Sequence, residues 1–517
     1  MLIKSKVMRD TVMLTIMQLI LDSAALFMNS FITRQLGASA MGILSLMGAF
    51  LGIAGILSNG NAFLCTSRLV SEEIGRKNGS PERVLLHAVQ LCLILSSIVS
   101  LCLIVFAEPI CRISFNGMQM TAAVRLMPAA LTAGAVAACL KGYFNACRRS
   151  AVTAAGDIIE FAVKSAMIAV MTLSTADPDE ERVCRILVLS IIGGSAASLI
   201  FFCCAFLRLH GRNTGKGTLS LKKYISLAVP IMSGGVLTTI LSSTNDALIP
   251  VCLRQSGSSV TQALSQFGLF EAIVIPTLFF PSVVLCSLSG IIVSESARAS
   301  ASGSRERIRS MTSRLTELTM IYAVFAAAVL IRFGKPVGIL LGGGEEGGRM
   351  ISLIAPVVPF IYMEIVLEAM IKGLGLQGFS SLNYLAEYAI RISAVLIFVP
   401  QIGFYGVAVS YCASNVFGNT MRLTKLLRYT GVSFRPFRMV IFPVLYSALT
   451  MGAAELLTRI SGTDSEDLPG LVLFTMIWAA GYFSMAYFVY SGKKRSFSNT
   501  RDIRSVKRIV QNAQAKA

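Results

Sequence analysis

The sequence predicts an all-α polytopic membrane protein with fourteen transmembrane helices, arranged as two similar six-helix lobes plus two extra C-terminal helices. Three observations support this prediction. Of the 517 residues, 54% are hydrophobic and only 14% are charged, and the mean hydropathy is +0.70. Apolar runs of about 20 residues, long enough to cross a bilayer, recur along the whole chain. Finally, polar, glycine and proline residues recur in the same order in the two halves of the chain. A soluble globular protein is therefore excluded.

The first six apolar runs form the predicted first lobe, residues 1–210. They lie at about 11–33, 40–66, 84–107, 120–146, 151–174 and 184–209. A segment rich in Gly, Lys and Arg follows at 211–223. This composition is typical of a flexible cytoplasmic linker, so we expect it to separate the two lobes.

The second lobe is predicted over residues 224–428. Its six apolar runs lie at about 224–250, 262–294, 315–334, 351–376, 381–400 and 403–427, and two further runs at 437–458 and 468–491 fall within 429–491. The remaining residues, 492–517, are basic and place apolar residues on one helical face. That pattern predicts an amphipathic helix lying on the inner leaflet.

The charge of the chain fits a membrane protein better than a nucleic-acid-binding one. There are 46 Lys and Arg against 27 Asp and Glu, a net charge of +19. Most of this excess falls in short segments between alternate apolar runs, as the positive-inside rule describes. We therefore expect both termini to be cytoplasmic and no nucleic acid to bind. The twelve cysteines lie mostly inside apolar runs without CxxC spacing, which favours core packing over disulfides or metal binding.

The two halves repeat polar and Gly/Pro positions in the same order. The matching positions are Arg34 to Gly37 with Arg254 to Gly257, Pro128 with Pro359, Lys141 with Lys372, and Glu160 and Lys164 with Glu387 and Arg391. Each repeat contains six spans, an even number, so both halves enter the membrane in the same direction. This predicts a parallel repeat about an axis along the membrane normal, as in many transporters.

The stretch from Leu140 to Asn145 (LKGYFN), followed by Glu160 and Lys164, resembles a signature of the polysaccharide and lipid-linked oligosaccharide flippases. The likeness is to the stage V sporulation protein B type, which is related to MurJ-type lipid II flippases. It implies a V-shaped transporter of the MATE/MOP superfamily in the bacterial plasma membrane. Where MurJ-type proteins carry an arginine early in the first helix, this chain has Asp22 and Asn29.

The resemblance also implies a function. A flippase of this kind moves a polyprenyl-pyrophosphate-linked sugar, a lipid-linked oligosaccharide or a lipid II-like precursor, from the inner to the outer leaflet by alternating access. No ATP-binding GxxxxGK[ST] loop is present in the sequence, so we expect an ion gradient, of Na⁺ or H⁺, to supply the energy. We expect no cofactor, contact with membrane lipids, and action as a monomer.

Ionisable residues inside the predicted spans are candidates for the transport site. Each costs on the order of 2.5 to 3.5 kcal/mol to insert, so it normally faces a cavity or a partner. Those assigned to a central cavity or to ion coupling are Asp22, Asp246, Glu271, Glu364 and Glu368, together with the polar, uncharged Asn29. Glu364, Glu368 and Lys372 recur every four residues and share one face of a helix. That stripe is interpreted either as a path for a headgroup or ion, or as an internal ion-pair ladder.

Basic residues at the predicted cytoplasmic mouth are candidates for headgroup binding. Lys141 and Lys372 occupy equivalent helix ends, and Arg148 and Arg149 lie beside the first. Two phosphates need concentrated positive charge. The alternative is that these lysines only contact membrane phosphates at the interface.

Two further sets complete the candidates. Glu160 with Lys164 and Glu387 with Arg391 have i,i+4 spacing, which predicts structural ion pairs within their helices. Arg34 and Arg254, at the outer ends of the first and seventh spans, are interpreted as an outer gate or as helix anchors.

Two other functions share some of these sequence features. A MATE-type antiporter of drugs or organic cations shares the two-lobe plan, and Asp22 lies where that branch has an important acid. A membrane-embedded glycosyltransferase needs catalytic carboxylates or His on a sizeable loop, whereas the chain has only His87 and His210 and short outer loops. The sequence therefore favours a transporter over an enzyme.

Overall fold

The computed structural model describes residues 2–74, 80–114, 120–147, 149–174, 180–209, 221–433, 435–460 and 473–487. The helices of the first half are α1 (Leu2–Asn59), α2 (Ala62–Ile74), α3 (Pro81–Val105), α4 (Ala107–Ser114), α5 (Thr121–Ala146), α6 (Ser150–Leu173) and α7 (Glu180–Leu209). Those of the second half are α8 (Leu221–Gln255), α9 (Val260–Leu269), α10 (Ile275–Phe279), α11 (Val283–Ala301), α12 (Arg305–Leu340), α13 (Gly344–Ile354), α14 (Val358–Gly373), α15 (Gln377–Ile402) and α16 (Phe404–Thr430). Helices α17 (Phe442–Ile460) and α18 (473–487) follow.

The predicted all-helical membrane fold is confirmed, since the described residues contain no strand and ten stretches long and apolar enough to cross a membrane. One of these, Ile16–Ser71, contains two predicted spans. The number of fourteen transmembrane helices and the boundaries of the lobes stay predictions. Most of the predicted linker at 211–223 and the whole tail at 492–517 lie outside the described residues.

Gly37 joins the first two predicted spans inside α1. Its backbone has φ 85° and ψ 162°, which breaks the helical conformation. Residues with a Cβ rarely adopt positive φ, whereas glycine does so at little cost. The chain therefore turns at Gly37 without a longer loop.

The eighth and tenth predicted spans are irregular where prolines fall. A π-helical turn, Phe270–Val274, separates α9 from α10, and a 3₁₀ turn, Phe280–Ser282, contains Pro281. A second 3₁₀ turn, Ala355–Val357, contains Pro356. Proline lacks the amide hydrogen that the helix ladder needs, so the regular α-helix is interrupted there.

Each half packs mainly within itself, and α1 joins the two. In the first half α5 packs against α2, α3 and α7, and α6 packs against α7. In the second half α15 packs against α8 and α16, and α14 against α11, α12 and α16. Helix α1 packs against both α8 and α9. The buried apolar core continues across this contact, with Met47 and Phe267 fully buried.

The last two helices are attached to α12. Arg438 Nε lies 2.7 Å from Glu317 Oε1, and the Tyr482 hydroxyl donates a 2.8 Å hydrogen bond to the Ile321 carbonyl. Trp478 is fully buried and contacts the ring of Phe325 edge-on, at 5.3 Å between centroids. These contacts hold α17 and α18 on the outside of the second half.

Candidate substrate-translocation site

A cluster of charged side chains lies between α14, α15 and α16, with Arg422 at its centre. The Arg422 side chain is completely buried. Its Nη1 donates a 2.9 Å hydrogen bond to Glu387 Oε2 and a 3.1 Å hydrogen bond to Asn419 Oδ1. The guanidinium also lies 4.5 Å from the ring centre of Tyr384. One cation therefore connects two helices and stacks on an aromatic face.

The predicted stripe on α14 forms part of this cluster. Glu364 Oε1 lies 3.1 Å from Arg422 Nη2, and Glu368 Oε2 lies 3.4 Å from Arg422 Nε; both are ion pairs without hydrogen-bond geometry. Lys372 Nζ is 3.3 Å from Glu368 Oε1, which also accepts a hydrogen bond from the Ser380 hydroxyl. The stripe is thus an ion-pair ladder in this structure.

Arg391 extends the cluster towards α8 and the π-helical turn that follows α9. Its Nη2 lies 3.3 Å from Glu387 Oε1, so the predicted i,i+4 pair is present. Its Nε donates a 2.8 Å hydrogen bond to the Ser414 hydroxyl. Arg391 is also near enough to Asp246 and Glu271 to interact electrostatically with both.

The charges of the cluster balance. Three carboxylates, Glu364, Glu368 and Glu387, face three cations, Arg391, Arg422 and Lys372. Removing one member of a buried ion pair typically costs about 3–5 kcal/mol, because the partner charge stays buried without compensation. The cluster is therefore a single interdependent unit.

Three other predicted acids stand apart from these ion pairs. Asp22 accepts a 2.8 Å hydrogen bond from the Gln18 amide, and Asp246 accepts a 3.2 Å bond from the Asn245 amide. Neither these two nor Glu271 makes an ion pair with another residue in the described part of the chain. They are acids within spans that no ion pair neutralises among the described residues.

Lys141 pairs across two helices of the first half. Its Nζ lies 2.6 Å from Asp157 Oδ1 of α6 and 5.4 Å from the ring centre of Phe63. The side chain is 31% exposed, so it remains accessible from one side. Arg149 is exposed immediately before α6, and Arg148 lies outside the described residues.

The predicted ion pair between Glu160 and Lys164 is not formed in the structure. Both residues are half-buried on α6 beside Gly194 of α7. Their i,i+4 spacing allows a pair but contributes only about 0.2–0.5 kcal/mol, which is too little to impose it. The equivalent pair in the second half forms because Arg391 is also held by Ser414.

Polar contacts from α1 reach the second half near the predicted outer end. The Asn29 amide donates a 3.0 Å hydrogen bond to the Ala272 carbonyl, inside the π-helical turn. Arg34 Nη2 donates a hydrogen bond to the Leu340 carbonyl at the end of α12. Arg254, its predicted counterpart, is exposed at the end of α8. Of the two arginines, the structure therefore shows only Arg34 in a contact between the halves, among the described residues.

Two glycines bring α1 and α9 into backbone contact. A Cβ on Gly42 would lie 1.8 Å from the Leu264 carbonyl oxygen, and one on Gly268 would lie 2.3 Å from the Gly42 nitrogen. Real Cβ atoms never approach so closely, so any larger residue must separate the two helices. The halves are thus in contact where Asn29 and Arg34 also connect them.

Arg422 is not among the site residues predicted from the sequence. It lies near the end of a predicted span, where it resembled the interfacial basic residues Lys425 and Arg428 that follow it. The available signal was the helical spacing of Asn415, Asn419 and Arg422, which places three polar residues on one face of a membrane helix.

Comparison with known proteins supports the predicted resemblance. Residues 7–254 match the family described as "Polysaccharide biosynthesis protein". The stage V sporulation protein B of Bacillus subtilis (strain 168) is 18% identical over 415 residues, which cover 78% of this chain and 80% of that protein. The uncharacterized membrane protein YabM of the same organism is 23% identical over 235 residues, 46% of this chain and 43% of that protein.

The fold is also that of solved transporters. The lipid II flippase MurJ in an inward closed conformation has a TM-score of 0.68 with 12% identity, covering 93% of this chain and 99% of that chain. An inward-facing multidrug resistance MATE transporter of the MOP superfamily has a TM-score of 0.58 with 14% identity, covering 79% of this chain and 94% of that chain. The chain is therefore a multi-pass membrane protein whose residues 7–254 match the polysaccharide biosynthesis family, and it has the fold of MurJ and the MATE transporters.

Proposed function

We propose that this protein is a flippase that moves a polyprenyl-pyrophosphate-linked sugar from the inner to the outer leaflet by alternating access. The family match supports transport of a polysaccharide precursor. The likeness to the lipid II flippase MurJ supports a flippase that acts on a lipid-linked substrate. In this proposal the chain lies in the bacterial plasma membrane with both termini in the cytoplasm. It acts as a monomer and as a transporter that catalyses no covalent reaction.

The observation that carries the proposal is the matched pair Lys141 and Lys372. Each lies at the equivalent end of its span, and each is held by one carboxylate, at 2.6 Å to Asp157 and 3.3 Å to Glu368. The side chains are 31% and 51% exposed. A phosphate can replace a carboxylate as partner to a lysine. We therefore assign headgroup recruitment to Lys141 and Lys372, with Arg148 and Arg149 adding positive charge nearby.

Native mass spectrometry of the gently purified protein tests this assignment. We expect the wild type to retain a polyprenyl pyrophosphate glycolipid, whose mass gives the sugar. Replacing both Lys141 and Lys372 by Ala should remove the bound lipid while the protein stays folded. The matched control is Arg349→Ala, which removes an exposed, ion-paired cation near the opposite end of the second half. Equal retention by all three proteins would refute headgroup binding by the lysines.

Ion coupling is assigned to the acids that have no ion-pair partner in the part of the chain that the structure describes. Asp246 and Glu271 lie near each other and near Arg391, and Asp22 lies on α1. Asn29 contacts the π-helical turn that contains Glu271, and Glu364 and Glu368 belong to the Arg422 cluster. Na⁺ or H⁺ binding at Asp246 and Glu271 would bring a positive charge to two adjacent carboxylates. Transport in vesicles by Asp246→Asn should then lose its dependence on the ion gradient.

The same acids favour a second candidate function, a cation-coupled antiporter of organic cations. Cationic substrates would be attracted to spans in which Asp22, Asp246 and Glu271 have no ion-pair partner among the described residues. The two functions differ in what purified protein and vesicles show. Dye export driven by a proton or sodium gradient, with no glycolipid bound, would support the antiporter and refute the flippase.

A further inference from the structure

Three buried cysteines from three helices share one apolar cluster in the first half. Cys65 lies on α2, Cys92 on α3 and Cys139 on α5, and each is at most 3% exposed. In the part of the chain that the structure describes, no three His, Cys, Asp or Glu side chains are arranged to hold a metal ion. The chemistry open to this cluster is therefore that of thiols.

The sulfur atoms of Cys92 and Cys139 are in direct contact. The Cys139 thiol donates a hydrogen bond of 3.5 Å to the Cys92 sulfur, and α3 packs against α5. A disulfide needs its sulfurs about 2.05 Å apart, so side-chain rotation has to bring these two closer by roughly 1.5 Å. Cys65 has a different neighbour, since its sulfur lies 3.6 Å from the Tyr224 hydroxyl of α8. The pair arranged for a bond is therefore Cys92 with Cys139.

Cys92 is the better placed of the two to react first. Its sulfur accepts the hydrogen bond from Cys139, which favours the thiolate form that acts as the nucleophile. The residues that follow it on α3, Leu93 and Ile94, are 40% and 52% exposed. The backbone at Cys92 thus lies at the membrane-facing surface, with the thiol turned inward. A small, uncharged oxidant suits such a position better than a charged one.

We propose that Cys92 and Cys139 are a modification site, at which a peroxide converts the two thiols into a disulfide between α3 and α5. First the Cys92 sulfur attacks one oxygen of hydrogen peroxide. The O–O bond breaks, and a sulfenic acid and one water form. The Cys139 sulfur then attacks the sulfenic sulfur, and the hydroxyl group leaves with the thiol proton as a second water. The two sulfurs together lose two electrons, which reduce the peroxide.

This modification also changes a contact near the junction of the two halves. In the reduced protein the Cys92 thiol donates a hydrogen bond of 3.5 Å to the Asn59 carbonyl, at the end of α1. Disulfide formation removes the proton and with it this donor. The next residue, Gly60, has φ 54° and lies against the Met232 side chain of α8. Oxidation therefore acts where α8 of the second half rests on the first half, whatever substrate is transported.

Peptide mapping of the full-length protein in membrane vesicles tests the proposal. Hydrogen peroxide is added until half of Cys147, which follows α5, is oxidised. Free thiols are blocked with N-ethylmaleimide in SDS, and tryptic peptides are assigned by fragment mass. We expect the link between Cys92 and Cys139 to be about tenfold more abundant than any link from Cys65 or Cys102 to Cys139, because only the first pair is in contact. Dithiothreitol should remove it.

Substitutions on the same helix provide the control. Cys102→Ala, at an exposed position of α3, should leave the link unchanged, whereas Cys92→Ala should abolish it. A second measurement uses the wild type alone: after oxidation it should unfold at a higher SDS fraction, and reduction should reverse the shift, because the cross-link closes the chain between the two residues. Half-oxidised Cys147 without a link between Cys92 and Cys139, or with equal amounts of a link to Cys65, would overturn the proposal.

Discussion

Arg422 Nη1 and Glu387 Oε2 are joined by a 2.9 Å hydrogen bond that connects α16 to α15 inside the second half. Both side chains are buried, at 0% and 4% exposure. Arg422 is also the only cation of the cluster, among the described residues, that contacts all three of its carboxylates. The stability of the second half should therefore depend on it.

Replacing Arg422 by Met should lower the free energy of unfolding by about 3–5 kcal/mol, because three carboxylates stay buried without their shared cation. The measurement is unfolding by SDS titration in mixed micelles. The control is Arg185→Met, which removes an exposed i,i+4 pair with Glu181 and should change the stability by at most about 1 kcal/mol. Equal stability of the two variants would contradict the role given to Arg422.

Gly418→Ala should weaken the same cluster by displacing the Glu387 carboxylate. A Cβ at this position would lie 2.3 Å from Glu387 Oε2 and 3.1 Å from Arg422 Nη1, so the carboxylate must move. The expected destabilisation is about 1–3 kcal/mol, as for other overpacked sites. Gly452→Ala is the matched control: it lies in α17 with no neighbour within 4 Å, and alanine should be neutral or stabilising there. A Gly418→Ala protein as stable as this control would refute the prediction.

A bulky residue at Gly42 should separate the two halves near α9. Gly42→Leu cannot keep the present distance to the Leu264 carbonyl, so a cysteine introduced at Ala272 should become accessible. We expect a membrane-impermeant maleimide added from outside to label this cysteine faster in Gly42→Leu than in the Ala272→Cys chain that keeps Gly42. Labelling of the native cysteines, measured in the chain without the introduced cysteine, is subtracted. Gly48→Leu is the control, since nothing lies within 4 Å of its Cβ position. Identical labelling with both substitutions would show that the contact at Gly42 does not close this side.

Asp157→Asn should strengthen headgroup binding, because it releases Lys141 from its 2.6 Å ion pair. An exposed ion pair contributes at most about 1 kcal/mol, so the apparent Kd for the glycolipid should fall by up to about fivefold. Binding is followed by native mass spectrometry with added lipid. Glu181→Gln breaks a comparable ion pair with Arg185 on α7 and should leave the Kd unchanged. A weaker complex with Asp157→Asn would mean that Asp157 assists binding.

The sequence predicts the membrane fold well, because the length of each apolar run and the charge of the segments between runs depend on local composition. The turn at Gly37 and the interruptions at Pro281 and Pro356 also follow from residue type, since glycine and proline change the backbone locally.

Side-chain partners are harder to predict, because they depend on which helices meet. Glu387 and Arg391 pair as their spacing suggests, whereas Glu160 and Lys164, with the same spacing, do not. The difference comes from neighbouring helices, since Arg422 and Ser414 of α16 complete the pair in the second half. Lys141 likewise takes its partner from another helix. No pattern within a single span gives these contacts.

The balanced charges around Arg422 bear on how the protein responds to the membrane potential. Moving one elementary charge through the full potential involves about 2.3 kcal/mol per 100 mV. The three carboxylates and three cations of the cluster carry no net charge together, so a movement of the cluster as a unit does almost no electrical work. Any voltage dependence of transport must then come from the substrate, a coupling ion, or charges outside this cluster, such as Asp246 and Glu271.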